Sequence, residues 1–123
     1  MKILVIAPHP DDEVLGCGGT LVNHVQKGDQ VYLCIVTKAH TPDWSEDFIA
    51  KRQQEIALSN KIIGFTKTFQ LGFPAAMLDT VAHKDLNKAI HEVVKEVQPE
   101  AVYIPHGGDL HEDHKIVFHS ALV

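Results

Sequence analysis

Four short apolar runs, spaced so that a helix-length segment fits between each pair, restrict this chain to few folds. The first, Lys2 to Ala7, is continuously apolar after its lysine and rich in β-branched residues, as a strand buried on both faces is. "VYLCIVT", residues 31–37, repeats that pattern, while "KTFQLGF", 67–73, and "AVYIP", 101–105, give a third and a fourth strand. From Glu13 to about Lys27, Val14, Leu15, Leu21, Val22 and Val25 recur at helical spacing, and Gly28-Asp29 stops the run. Gly16, Gly18 and Gly19 weaken the first turn, which predicts a late helix start, and are expected to let that helix pack closely on a strand. After the polar loop 38–47, Ser45 suits the N-cap of a helix running to about Ile63, where Gly64 closes it. Residues 74–80 read as a loop. A third helix spans about His83 to Val97, with Ala89, Ile90, Val93, Val94 and Val97 on one face and Gln98-Pro99 as its stop. The tail from about Glu112 reads as helical.

Strands alternating with helices of this length specify an α/β fold. The expectation is a Rossmann-like, doubly wound, mostly parallel sheet in a three-layer α/β/α arrangement with right-handed crossovers. At 123 residues with 45% hydrophobic content, residues 1–123 suit a single domain. Ligands of such sheets bind beyond the carboxyl ends of the strands, where strand order reverses. With the order 3-2-1-4, strands one and four are neighbours at that point.

Composition narrows the function classes. A formal net charge of −5 with scattered lysines argues against a nucleic-acid or anionic-membrane partner. Cys17 and Cys34 have no CxxC spacing and read as reduced thiols, small buried hydrophobes of a cytoplasmic protein. The opening "MKILVIAP" is too short for a membrane span or a secretory core.

Reactive side chains gather after strands one and four. "PHPDDE" holds His9, Asp11, Asp12 and Glu13, and "HGGDLHEDH" holds His106, Asp109, His111, Asp113 and His114. Carboxylates crowded at the end of a buried strand lose hydration and repel one another, so the arrangement requires a cation, a substrate or open solvent. Imidazole with carboxylate suits Zn²⁺ or Fe²⁺ better than Mg²⁺ or Ca²⁺, and a catalytic site commonly uses three protein ligands and keeps a position for water. Successive residues of an extended loop point different ways, so of Asp11 and Asp12 one can bind an ion while the other faces its water. His111 and His114 can enter one pocket in separate roles. An acidic helix N-terminus alone would explain the first carboxylates, but neither His9 nor the second cluster. "GCGGT" lacks the third glycine of a dinucleotide loop, and its acidic neighbours would repel a pyrophosphate. His24, His40, His83, His91 and His119 lie outside both segments and read as surface or packing residues.

"APHPDDEVLGCGG" and "GGDLHEDH" resemble the two signature segments of the LmbE-like, or PIG-L-type, metal-dependent N-deacetylases, which remove acetyl groups from N-acetylglucosamine-containing substrates. "RQQEIALSNKIIGF" and "LGFPAAMLD" are similar to the middle region of that family. The resemblance implies a zinc cofactor, with Fe²⁺ as the second candidate, held by His9, Asp12 and His114. It implies that Asp11 is the base for the attacking water, that protonated His111 offsets charge on the oxyanion, and that Asp113 orients His111. It also implies substrate contacts for Arg52, the sole arginine, and Asp79. From the residues alone, Arg52 equally suits an i,i+3 pair with Glu55, and Asp79 a turn. The implied partner is an N-acetyl sugar or glycoconjugate. Two rivals stand beside this reading: a mononuclear iron oxygenase, because two His and one carboxylate also form that facial set, and a binding module that keeps the metal without turnover. Family members continue well beyond the second segment, so the chain is expected to lack the family's C-terminal portion. Strand four would then be an apolar edge, and Ile116, Val117, Ala121, Leu122 and Val123 an uncovered helix face. Homo-oligomer formation or low stability would follow.

Overall fold

Lys2–Ala7 (β1), Gln30–Lys38 (β2), Lys67–Pro74 (β3) and Ala101–Tyr103 (β4) form one sheet in a computed structural model that describes residues 1–123. Every pairing is parallel and the order is β3-β2-β1-β4. The chain therefore moves outward from β1 through β2 to β3, then returns to the other side of β1 for β4. The carboxyl ends of β1 and β4 flank the point where strand order reverses, the position at which such sheets bind ligands. Four helices complete the chain: α1 (Asp12–Gln26), α2 (Glu46–Ile63), α3 (His83–Val97) and α4 (Glu112–Ala121), with a 3-10 turn at Leu78–Thr80.

Alternation along β1 divides the core. Ile3, Val5 and Ala7 pack with Val31, Leu33 and Ile35 against Leu21 of α1 and Ile56 and Ile63 of α2. Leu4 and Ile6 pack with Cys34 and Val36 against Leu86, Ile90, Val93 and Val97 of α3 and Val117 of α4. Both faces of β1 and β2 are thus covered, which is why their sequences are continuous apolar runs. Edge strand β4 is less enclosed, with Val102 exposed. At α2, the Ser45 side chain accepts a hydrogen bond from Phe48 N–H at 3.1 Å, and Gly64 closes the helix in the left-handed conformation at φ 92°.

Three local expectations need correction. α1 does not start late; it begins at Asp12, and the glycine-rich stretch is accommodated by a break in helical geometry at Cys17, with φ −149° and ψ 23°. Nor do those glycines allow close packing, since a Cβ at Gly16 or Gly19 would meet open space. The close approach is made elsewhere: a Cβ at Gly107 would lie 2.7 Å from the Phe118 ring, so this glycine lets the loop after β4 rest on α4. β4 is also shorter than its apolar run, ending at Tyr103 before Pro105, which has no N–H for the ladder. No helix is long and apolar enough to cross a membrane.

Candidate metal and active site

The loop from β1 into α1 is fixed at its start by Thr37, whose hydroxyl and backbone N–H donate to the Pro8 carbonyl at 2.7 and 3.1 Å. Asp12 fixes the far end, its Oδ2 accepting the His9 N–H at 2.8 Å. Between them Asp11 takes the left-handed conformation, φ 80°, uncommon for a residue with a Cβ. Although Asp11 occupies the N-cap position of α1, its side chain makes no cap bond. Its carboxylate turns instead to Arg52, 2.9 Å from the guanidinium, which also donates to the Pro10 carbonyl at 3.3 Å. The same guanidinium lies 3.2 Å from Glu55, so Arg52 makes the i,i+3 pair and also reaches the loop after β1.

His114 comes from the first turn of α4. Its Nε2 lies 3.1 Å from Asp12 Oδ2, and its Nδ1 lies 3.0 Å from Asp109 Oδ2. His9 Nδ1 approaches the same Asp12 oxygen at 3.4 Å. His9, Asp12 and His114 thus offer one ligand atom each within 4.8 Å of one another, and His9, His111 and Asp113 form an overlapping set. The His111 ring centroid lies 4.6 Å from that of His9 and 5.1 Å from that of His114. Two imidazoles drawn to one carboxylate oxygen form a donor set that fits Zn²⁺ or Fe²⁺.

Asp113 is 2% exposed and its carboxylate is fully engaged. Oδ2 lies 2.8 Å from His9 Nε2 and accepts the Ala76 N–H at 2.6 Å, while Oδ1 accepts the Leu78 N–H at 3.1 Å. A carboxylate receiving backbone donors acts as an acceptor, so His9 Nε2 carries a proton and the neutral ring keeps its lone pair on Nδ1, towards Asp12 and His114. That is the tautomer a metal ligand requires. Toward His111 it is the Asp113 backbone that acts, its N–H donating to Nδ1 at 3.1 Å.

The cluster's electrostatics follow from this crowding. Burial would lower the His9 pKa, but hydrogen bonds to Asp12 and Asp113 and their charges outweigh it and hold the ring above its ordinary value. Burial would raise Asp12, but the hydrogen bonds from the His9 side chain and backbone, with the charges of His114 and His9, hold it below the usual range. Glu13 shows the opposite balance. It is 4% exposed, its Oε2 has no hydrogen-bond partner, and burial with the charges of Asp11 and Asp12 pushes its pKa up. A cavity of about 520 Å³ adjoins the cluster, bordered by Asp12, Glu13, Cys17, His106, Asp109 and His114 among others.

The structure therefore gathers His9, Asp12, His111, Asp113 and His114, with Asp11 on the adjoining loop facing Arg52. Asp79 stands apart, exposed on the 3-10 turn. Sequence reasoning did not foresee the burial of Glu13, although its four-residue spacing to Cys17 and Leu21 puts it on the inward stripe of α1. The Arg52 link to Asp11 spans two elements and left no local signal.

Comparison with known proteins follows the same geometry. The chain is 34% identical to the protein named uncharacterized deacetylase YaiS from Escherichia coli, over 98% of this chain and 66% of that protein. It is 31% identical to a 1D-myo-inositol 2-acetamido-2-deoxy-alpha-D-glucopyranoside deacetylase from Streptomyces avermitilis, over 92% of this chain and 49% of that one. Among solved structures, the N,N'-diacetylchitobiose deacetylase from Pyrococcus horikoshii superposes with a TM-score of 0.85 at 25% identity, covering 98% of this chain and 48% of that one. The chain thus spans about half to two thirds of the length of the curated relatives named here. With the family model described as "PIG-L: GlcNAc-PI de-N-acetylase" matching residues 4–123, this chain belongs to the PIG-L, or LmbE-like, family.

Proposed function

We propose that residues 1–123 act as a metal-dependent N-deacetylase domain on N-acetylated sugars or sugar conjugates. The observation that carries this reading is the convergence of His9, Asp12 and His114 at the carboxyl ends of β1 and β4, with a third imidazole, His111, beside them and a second carboxylate, Asp11, on the same loop as His9 and Asp12, paired with Arg52. Two of the relatives are named as deacetylases of acetylated sugars, which supplies the substrate class.

In this reading His9, Asp12 and His114 would hold a zinc ion. Such an ion supplies Lewis acidity toward the acetamide carbonyl and acidifies a water. Asp11 takes a proton from the attacking water and returns it to the departing amine, so that acetate and free amine leave and the carboxylate is regenerated. His111, whose Nδ1 accepts the Asp113 N–H, offers its Nε2–H to the charge developing on the carbonyl oxygen. Arg52 holds the Asp11 carboxylate, and the sugar contacts are assigned to Arg52 and to Asp79, exposed on the 3-10 turn.

Metal analysis of the purified protein, combined with acetate release from a panel of N-acetyl sugars, tests the proposal. A single bound zinc and acetate release from N-acetylglucosamine compounds are expected. Zinc binding without acetate release from any of them would overturn the deacetylase reading, and oxygen consumption with bound iron would favour the oxygenase instead.

A further inference from the structure

The Asp113 carboxylate joins two parts of the molecule that are otherwise separate. On one side it fixes the His9 ring through Nε2, and on the other it accepts the backbone N–H groups of Ala76 and Leu78, in the connection from β3 to α3. Apart from these, the connection is held by bonds within its own turns and by the Ala75 N–H, which donates to the Lys38 carbonyl at 3.1 Å. Ala76 sits at φ 61°, in the left-handed region where a Cβ is disfavoured. Met77 and Asp79 are exposed, and Leu78 alone is buried, in the core between α3 and α4.

We propose that Asp113 is a positioning residue that couples ion occupancy at His9 to the order of residues 75–80. The inference rests on the metal site proposed above. An ion held by His9 Nδ1 fixes the plane of the ring, and with it the direction of the Nε2–H that meets Asp113 Oδ2. Because the Ala76 N–H shares that oxygen, fixing the ring also fixes the carboxylate, and through it the two backbone bonds that shape the turn. Linkage is reciprocal: whatever orders residues 75–80, including a ligand held by exposed Asp79, tightens the grip on the ion by the same factor. A single buried carboxylate thus ties metal binding to the connection from β3 to α3.

Hydrogen exchange of the full chain, stripped with chelator and then reloaded with Zn²⁺, tests this without any substitution. Zinc should slow exchange of the Ala76 and Leu78 amides by about 5- to 150-fold, the usual range for coupled sites. Amides of β2 serve as the reference for overall stabilisation. In Asp113→Asn, zinc affinity should fall by about 10–100-fold, as when an outer partner of a ligating histidine is lost, and zinc should no longer alter the turn. A merely structural Asp113 would loosen the turn equally with and without zinc. Zinc binding that leaves the 76–78 amides of the wild type unchanged, or wild-type zinc affinity in Asp113→Asn, would overturn the proposal. Zinc-dependent protection without acetate release would leave it standing while the deacetylase reading fell.

Discussion

Two histidine–carboxylate clusters lie towards opposite ends of the sheet, and their chemistry differs. At the carboxyl ends of the strands, His9 and His114 converge on one Asp12 oxygen. Toward the amino ends, His24 of α1 meets Asp29 at 2.8 Å through Nδ1 and the Tyr103 hydroxyl at 2.9 Å through Nε2, while Asp29 also takes the amino terminus at 3.2 Å. His24 belongs to no group of three converging ligand atoms, because the second partner of Asp29 is the amino terminus and not another imidazole. His9 has one nitrogen committed to Asp113 and the other turned to the shared carboxylate. Residue type alone therefore does not make a metal site. What distinguishes one is a lone pair left facing other donors while the second nitrogen is anchored.

Breaking the contrast most severely is Asp11→Asn. It should leave zinc bound and reduce acetate release by about 10²–10⁴-fold, because an amide cannot take the water's proton; turnover at the wild-type rate would remove Asp11 from the chemistry. Next comes a paired substitution. His114→Ala should weaken zinc binding by more than about 100-fold, exceeding the effect of losing an outer partner, whereas His24→Ala should leave it unchanged. Titrating each variant against a chelator of known affinity would show whether the two histidines separate this way.

A smaller and graded effect is expected from pH. The His9 pKa is held above 6.5 in the folded chain. In the metal-free protein the stability contributed by charged His9 is therefore full below about pH 6.5 and lost as pH rises through the raised folded value. Zinc needs the neutral ring, so its affinity should move the other way, falling about tenfold per pH unit for each proton displaced below that value. A zinc affinity that does not change between acid and alkaline buffers would contradict this. Smallest of all, Tyr103→Phe removes one hydrogen bond from the tether and should cost about 1 kcal/mol in urea unfolding, with zinc affinity untouched.

Much of this molecule was legible before any coordinates. The strands, the helices and the parallel type of the sheet follow from local periodicity, stop signals and strand–helix alternation, because apolar period and capping chemistry act over a few neighbouring residues. Where reading failed, the cause was a non-local effect. The glycines after Asp12 suggested a delayed helix, yet helical geometry starts at Asp12 and breaks at Cys17. Pro105 marks the end of β4 two residues earlier than its apolar run implied. His24 gave no signal, since its partners Asp29 and Tyr103 come from the loop before β2 and from β4.

What the sequence by itself determined is the inventory: buried strands of parallel type, helices between them, and histidines with carboxylates in the loops that follow β1 and β4. Only the tertiary structure decided which of those side chains meet. The β3-β2-β1-β4 order sets β1 beside β4 and so brings Asp12 to His114, and the seat of α4 turns the Asp113 carboxylate to His9 and the 76–78 turn. Similarly, α2 carries Arg52 across to Asp11. The reason is physical: periodicity and capping are short-range properties written into neighbouring residues, whereas the partner of a side chain 104 positions away is set by crossovers and core packing.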